Sequence, residues 1–122
     1  MSVNAAGDTV LYGIANCDTC RKARRWLDEH GVEYRFHDLR TEGLDRRVLE
    51  VWVDAVGWEQ LLNRRSRTWR DLPASVRDGL HRRSASALLM AQPLLIKRPV
   101  LAGEGKVHTG FSPSAYTELF PS

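Results

Sequence analysis

Residues 11–23 read LYGIANCDTCRKA and contain both cysteines of the chain. An apolar, strand-like lead-in ends at a glycine, and a helical pattern begins after Cys17, with Ala23, Trp26 and Leu27 on one face. The unpaired N–H groups and the dipole of a first helical turn favour negative charge. A free cysteine titrates near ~8.5, and such a position lowers that value. We therefore expect Cys17 to be a thiolate and the nucleophile of the protein.

The composition is that of an ordinary soluble globular domain, with 43% hydrophobic and 27% charged residues. No apolar run approaches the ~20 residues of a membrane helix, and the polar leader at residues 1–8 lacks the pattern of a secretion signal. Two cysteines are too few for a secreted disulfide framework, which favours the cytoplasm. A net charge of +3 suits a small anionic substrate and gives little support for nucleic-acid binding.

The first half of the pattern is a β-α-β unit. A helix is predicted over residues 18–30 and ends before Gly31, which suits a left-handed C-terminal cap. The alternating residues 32–38 then predict a half-buried strand. Strand, helix and strand over some thirty residues indicate two parallel strands joined by a crossover.

Residues 44–87 form a helical block with too little apolar surface to fold alone, and we interpret it as an insertion packed on the sheet. Helices are predicted over residues 46–56, 58–62, 71–80 and 84–91, with a basic loop over residues 63–70. His81, Arg82 and Arg83 are assigned to the surface.

From Gln92 the β pattern returns. Residues 100–102 and 106–109 flank Gly103-Glu104-Gly105, which is a hairpin signature, and Ser112 before Pro113 predicts the start of a last helix. The order β-α-β, helical insert, β-β-α predicts an α/β protein with a thioredoxin-like fold and a mixed sheet. Residues 1–122 are expected to form a single domain.

The Cys17–Cys20 spacing allows three interpretations. It supplies half of a zinc site, but His30, His37, His81 and His108 are scattered without paired spacing, so no metal site is predicted. Two inert buried thiols are the second interpretation. Redox or nucleophilic chemistry is favoured, because a cysteine at a strand-to-helix junction is suited to activation.

Four further positions are predicted to bind substrate, and one to assist catalysis. Pro99 is the candidate for the cis-proline loop opposite the nucleophile, although a proline that starts an edge strand is an alternative. This would bring Arg98 close to Cys17, where a guanidinium can clamp an oxyanion or carboxylate. The remaining candidates are Asn16 beside the nucleophile, Arg21 in the first helical turn, where it and Lys22 favour a thiolate, and Arg65 from a basic loop that otherwise is a solvated face.

Several segments in order along the chain resemble the ArsC/Spx family, especially its YffB-like branch of arsenate or glutathione-dependent thiol reductases. They are residues 11–27, Tyr34-Arg35-Phe36-His37-Asp38, Gly57-Trp58-Glu59, Leu61-Leu62-Asn63, Arg65, Thr68-Trp69-Arg70, Ile96-Lys97-Arg98-Pro99 and Gly110-Phe111-Ser112. The resemblance implies that Cys17 is the nucleophile and Arg98 an oxyanion-binding arginine beside a cis-proline.

The departures from the family pattern bear on the substrate. Family arsenate reductases usually have serine where this chain has Cys20, and an arginine where it has Gly110. The resemblance therefore implies reduction of a disulfide in preference to arsenate, with glutathione as co-substrate, glutaredoxin as a further partner and no tightly bound cofactor. We expect a monomer acting on a small anionic or disulfide substrate, without nucleic-acid or membrane partners.

Cys20 also makes the chain similar to the Spx branch, whose members are redox-sensing regulators that bind RNA polymerase. The alternative function is thus a regulator switched by a Cys17–Cys20 disulfide. The reductase is favoured because the helical block matches the reductase-like branch, and because the sequence ends at Ser122 without the C-terminal tail of Spx proteins.

Overall fold

The computed structural model describes residues 8–121 of the chain. The polar leader predicted for residues 1–8 therefore lies outside the described residues, apart from Asp8. Two compact units are present: residues up to Asp38 together with those from Arg98 onward, and Leu39–Lys97. The second unit is wider than the insertion predicted at residues 44–87, and the single-domain organisation stays a prediction.

In chain order the elements are β1 (Val10–Gly13), α1 (Asp18–Glu29), β2 (Arg35–Asp38), α2 (Leu39–Glu42), α3 (Arg46–Val56), α4 (Trp58–Leu61), α5 (Arg67–Arg70), α6 (Ala74–Arg77), α7 (Arg82–Ala91), a 3-10 turn (Pro93–Leu95), β3 (Val100–Gly103), β4 (Lys106–Thr109) and α8 (Pro113–Leu119). The four strands form one sheet in the order β2-β1-β3-β4. Strand β1 pairs parallel with β2 and antiparallel with β3, and β3 pairs antiparallel with β4. The predicted thioredoxin-like mixed sheet is confirmed.

Strand β2 begins three residues later than the sequence pattern predicts. Gly31 has a φ of 69°, and the N–H of Val32 donates to the carbonyl of Leu27. Residue 32 is therefore still engaged in closing the end of α1, as in a helix C-terminal motif. Ladder pairing starts only at Arg35, which lies opposite Val10.

The hairpin and the last helix agree with their sequence signals. Glu104 and Gly105 have φ values of 51° and 77°, so the turn has two residues in the left-handed region, which matches the twist of the flanking strands. Ser112 accepts a hydrogen bond from the Ala115 N–H at its hydroxyl, and Pro113 occupies the first helical position.

One apolar cluster joins the sheet to α1 and α8. Its buried members are Leu11, Ala23, Trp26, Leu27, Leu101 and Tyr116, and six partly buried apolar residues pack against it: Val32, Tyr34, Phe36, Phe111, Leu119 and Phe120. The Tyr116 ring meets Trp26 and Phe111 edge-on, with centroids 5.5 and 4.7 Å apart, the geometry that aromatic pairs prefer. This cluster fixes α1, and hence its N-terminal end, against the strands.

The helical unit follows its predicted pattern in part. Helix α3 spans the predicted residues, and the carboxylate of Asp45 accepts the Arg47 N–H at 2.7 Å. The predicted helix at residues 71–80 is wrong, since only Ala74–Arg77 are helical. Pro73 disfavours the helical conformation at the residue before it and is itself extended, with ψ 146°, as the N-cap of α6, and Gly79 adopts a φ of 76°.

Three shorter departures also occur in this unit. The predicted basic loop contains one helical turn, α5, because the Ser66 hydroxyl accepts the Trp69 N–H. The helical turn α2 directly follows β2, ahead of the predicted helical block. Residues 93–95 form a 3-10 turn where β character was expected, and Ile96 alone bridges to Leu62. Among the described residues, no helix is long and apolar enough to cross a membrane.

Gly13 leaves no room for a side chain, because a Cβ built there would lie 2.5 Å from the Sγ of Cys20. We predict that Gly13→Ala destabilises the protein by roughly 1–3 kcal/mol, the usual cost of overpacking a core. Urea unfolding measures the change. In a double-mutant cycle, Cys20→Ala should remove much of this cost because the clashing sulfur is gone. A cost for Gly13→Ala that is the same in both backgrounds would contradict the packing assignment.

Candidate active site

Cys17 lies at the N-terminal end of α1 in extended conformation, with φ −103° and ψ 124°. Its carbonyl accepts the N–H of Arg21 at 2.9 Å, which closes the first turn, and its own N–H donates to the Ile14 carbonyl at 3.3 Å. The residue is partly exposed. A reagent can therefore reach a sulfur that the helix terminus also favours as an anion.

Asp38 holds the loop that leads to Cys17. Its carboxylate oxygen Oδ2 accepts the N–H of Ala15 at 3.0 Å, and the residue pairs with Gly13 in the parallel ladder. No role was predicted for Asp38 from the sequence. The predicted parallel pairing of β1 and β2 brings the carboxyl ends of both strands to one edge of the sheet. A polar residue at the end of β2 could therefore have been predicted to lie near the loop that follows β1.

The environment of Cys17 favours its thiolate. Partial burial would raise the pKa of Cys17, but the backbone N–H and the thiol of Cys20 and the guanidinium of Arg98 all donate hydrogen bonds to the sulfur. With the positive charge of Arg98, they hold the pKa of Cys17 below its usual value. Arg21 and Lys22 were expected to act here too. Arg21 is exposed, and the Lys22 ammonium lies 3.3 Å from the Asp18 carboxylate.

Cys20 has the opposite character. Its side chain is fully buried, and burial raises the pKa of Cys20 to about 12, despite a hydrogen bond from the Ile14 backbone. The neighbouring Cys17 sulfur raises it further. Cys20 is therefore a neutral thiol at neutral pH, and it can serve as a hydrogen-bond donor to the thiolate beside it.

The Arg98–Pro99 peptide bond is cis, as predicted for the loop near the nucleophile. The carbonyl of Pro99 accepts the N–H of Gly110 at 2.8 Å, which ties the residue before β3 to the residue after β4. Gly110 has a φ of 79°, a conformation that L-amino acids other than glycine rarely adopt. This backbone, and not only the sequence, favours glycine where family arsenate reductases have arginine.

Comparison with known proteins identifies this arrangement. The model of the ArsC family matches residues 12–119. The chain belongs to the ArsC family. It is 47% identical to the solved structure named YFFB (PA3664) protein, with a TM-score of 0.86 over 90% of this chain and 96% of that one. It is also 48% identical to an arsenate reductase (ArsC) related protein from Brucella melitensis, with a TM-score of 0.75 over 94% and 96% of the two chains.

The regulatory branch is represented as well. The chain is 27% identical to the global transcriptional regulator Spx 2 of Bacillus cereus over 114 residues, which cover 92% of this chain and 86% of that protein. Resemblance to the ArsC/Spx family is thereby confirmed. The chain is similar to both reductase-related and regulatory members of the family. The comparisons therefore do not decide between a reductase and a regulator, and the chemistry of the site must be considered.

Tyr116 is a second residue whose relation to the site the sequence did not predict. Tyr116 is fully buried in the core cluster. Its hydroxyl has no hydrogen-bond partner among residues 8–121, and burial raises the pKa of Tyr116, with a smaller contribution from Cys20 when that thiol is ionised. The hydroxyl therefore stays protonated. Nothing in the sequence pattern connects these two positions.

The other candidate residues are exposed. Asn16 and Arg21 flank Cys17 along the chain, whereas Arg65 lies in the helical unit, where its N–H donates to the Asn63 side chain at 3.0 Å. Their roles in substrate binding stay predictions, as does that of Pro99. Within residues 8–121, no group of three or more His, Cys, Asp or Glu side chains is placed to hold a metal ion.

The hydrogen bonds to the Cys17 sulfur predict a measurable reactivity profile. In a Cys20→Ala background, where Cys17 is the sole cysteine, we expect Arg98→Gln to raise the pH midpoint of Cys17 alkylation, because a donor and a positive charge are lost. Iodoacetamide alkylation against pH, followed by mass spectrometry, measures this midpoint. Arg25→Gln, an exposed arginine of α1, is the control. Equal midpoints in the Arg98→Gln and Arg25→Gln variants would show that Arg98 does not stabilise the thiolate.

Proposed function

We propose that this chain is a cytoplasmic, thiol-dependent reductase of the ArsC family that acts on disulfides, with glutathione mixed disulfides as the substrate class. Glutathione is the reductant and is oxidised to glutathione disulfide, glutaredoxin is a further partner, and the protein acts as a monomer without a tightly bound cofactor. The observation that carries the proposal is the Cys17 sulfur at a helix N-terminus, partly exposed and hydrogen-bonded by Cys20 and Arg98. Such a sulfur is a nucleophile at neutral pH.

In the first step the Cys17 thiolate attacks the glutathione sulfur of a mixed disulfide. A bond forms between that sulfur and the Cys17 Sγ, while the original disulfide bond breaks and the other thiol leaves as a thiolate, which takes a proton from water. Thiol–disulfide exchange follows this route, and it is favoured when the attacking thiol titrates near the ambient pH. Arg98 contacts the sulfur, and we assign it to binding a glutathione carboxylate through its planar pair of donors.

In the second step the buried Cys20 resolves the intermediate. Once Cys17 is in a disulfide, its negative charge is gone, so its contribution to the raised pKa of Cys20 disappears, while the larger effect of burial remains. Cys20 then loses its proton to the departing glutathione thiolate and attacks the Cys17 sulfur. The products are the Cys17–Cys20 disulfide and reduced glutathione, and two further glutathione molecules return the pair to the dithiol.

Disulfides are favoured over arsenate by the position of Gly110. An arsenate site needs several positive charges, and the arginine that family reductases supply after the hairpin is absent here. Since Gly110 adopts a left-handed conformation and bonds to Pro99, an arginine there would be strained. A disulfide sulfur is uncharged, so its binding does not require several positive charges.

The experiment that tests the proposal follows glutathione on Cys17. The protein is glutathionylated with glutathione disulfide, desalted and followed by intact mass spectrometry. We expect the parent to lose the adduct and form an internal disulfide, whereas Cys20→Ala keeps the adduct until glutathione is added. Cys17→Ala is expected to accept no adduct. An adduct that persists on the parent would show that Cys20 is not the resolving thiol, and an adduct on Cys17→Ala would overturn the nucleophile assignment.

Arg98→Lys tests the substrate contact. Lysine keeps the charge but loses the planar pair of donors, so binding of an anionic substrate should weaken. A hydrogen bond to a charged partner contributes roughly 1.5–3 kcal/mol, so we expect kcat/KM for a glutathione mixed disulfide to fall about ten- to a hundredfold. Arg25→Lys on the exposed face of α1 should leave kcat/KM unchanged. If Arg98→Lys turns over like Arg25→Lys, Arg98 does not bind substrate.

A regulator that uses the same cysteine pair is the second candidate, and the similarity to Spx 2 favours it. Such a protein would bind the C-terminal domain of the RNA polymerase α-subunit and would do so differently in its dithiol and disulfide forms. Direct binding measured in both redox states separates the functions. Redox-dependent binding without turnover of a mixed disulfide would favour the regulator.

A further inference from the structure

The helical unit contains a basic cleft in which no catalytic candidate takes part. It lies between α3 and α7 and has a volume of about 650 Å³, within the range of small-molecule sites. Its lining residues are Arg46, Glu50, His81, Arg82, Arg83 and Ser86. Three arginines and a histidine thus surround one opening, and His81, Arg82 and Arg83 are exposed, as the sequence predicted.

The arginines of this cleft differ in their contacts. Arg82 forms ion pairs with Glu50, at 3.3 Å, and with Asp54, so two carboxylates hold its guanidinium in place and offset its charge. Within residues 8–121, Arg46 and Arg83 form no ion pair. Their guanidinium groups carry the positive charge that remains available to a ligand.

Ser86 supplies an independent sign of a ligand. The residue lines the cleft and is only 7% exposed, and its hydroxyl has no hydrogen-bond partner within residues 8–121. A serine in a helix can return its hydrogen bond to the carbonyl four residues earlier, but Ser86 does not. A buried hydroxyl without a partner destabilises a fold, so its presence at the base of a cleft is explained if a ligand supplies the partner.

The start of α7 adds backbone donors. Helix α7 begins at Arg82 and runs for ten residues. The His81 side chain caps the N–H of Ser84, and the N–H groups of Arg82 and Arg83 have no acceptor within the helix. Ser86 lies one turn after Arg82 and so shares its face of the helix. A helix N-terminus, two unpaired arginines and a buried hydroxyl that converge on one cleft form a set of donors suited to a tetrahedral oxyanion.

We propose that the cleft between α3 and α7 binds the phosphate group of a small phosphate monoester. Arg46 and Arg83 hold the phosphate oxygens as planar forks, Ser86 donates its hydroxyl, and the N–H groups at the start of α7 complete the shell. Glu50 is the one carboxylate lining the cleft, and its pairing with Arg82 keeps its charge compensated. This site is separate in function from the cysteine pair and does not depend on the reductase proposal.

The test is a titration of the full chain with glycerol 3-phosphate and, separately, with inorganic phosphate, against sodium chloride at equal ionic strength. Backbone amide shifts in ¹H–¹⁵N NMR spectra report the site. We expect saturable shifts at Arg82, Arg83 and Ser84, and tighter binding of the monoester than of inorganic phosphate, because the cleft is larger than one phosphate group. Arg46→Gln and Arg83→Gln should each weaken binding about ten- to a hundredfold. Arg70→Gln, an exposed arginine of the same unit outside the cleft, is the control and should change it less than twofold.

Ser86→Ala separates a ligand contact from a structural role. Without ligand the variant should melt at a higher temperature than the parent, because a buried hydroxyl without a partner is removed. With ligand it should bind the monoester about tenfold more weakly. Shifts that do not saturate, or a loss with Arg70→Gln equal to that with Arg83→Gln, would reduce the effect to charge screening and overturn the proposal. Unchanged affinity of Ser86→Ala would overturn the assignment of its hydroxyl.

Discussion

The hydrogen bonds that converge on the Cys17 sulfur are the interaction on which this structure depends. Two come from Cys20, one turn along α1, and one from Arg98, which is distant in sequence. Other residues hold the cysteines and Arg98 in position. Gly13 leaves space for the Cys20 side chain, Asp38 anchors the loop before Cys17, and the bond from Gly110 to Pro99 fixes the backbone beside Arg98. The sheet and α1 bring these supports to one edge.

Two cysteines in one helical turn differ in acidity because their surroundings differ. Cys17 is partly exposed and receives donors, whereas Cys20 is buried against β1 and lies beside the sulfur that it stabilises. The resting pair thus combines one cysteine whose pKa is lowered with one whose pKa is raised. Conversion of Cys17 to a disulfide would remove the charge that adds to the effect of burial on the pKa of Cys20, which makes Cys20 easier to deprotonate in the proposed second step.

The residues around Cys17 could be predicted from the local sequence, whereas the other residues of the site are brought together by tertiary packing. Cys17 and the start of α1 follow from residue types at short spacing, whereas the cis bond at Pro99 was predicted from the fold class and the position of Pro99 before the hairpin. Tyr116 could be predicted only as a core residue, because its relation to Cys20 depends on how α8 meets α1. In the helical unit, Pro73 outweighed the helical pattern around it, because a proline disfavours the helical conformation of the residue before it. The extent of β2 was misjudged because alternation does not show that Val32 still bonds to α1.

The central claim is that the thiolate of Cys17 reduces disulfides and not oxyanions. Steady-state turnover by the purified full chain tests it most directly, with a glutathione mixed disulfide and with arsenate as parallel substrates, each with glutathione and glutaredoxin supplied. The geometry around Arg98, Pro99 and Gly110 predicts turnover of the mixed disulfide that is lost in Cys17→Ala, and little turnover of arsenate. Arsenate reduction at a rate equal to or above that of the mixed disulfide would contradict the account.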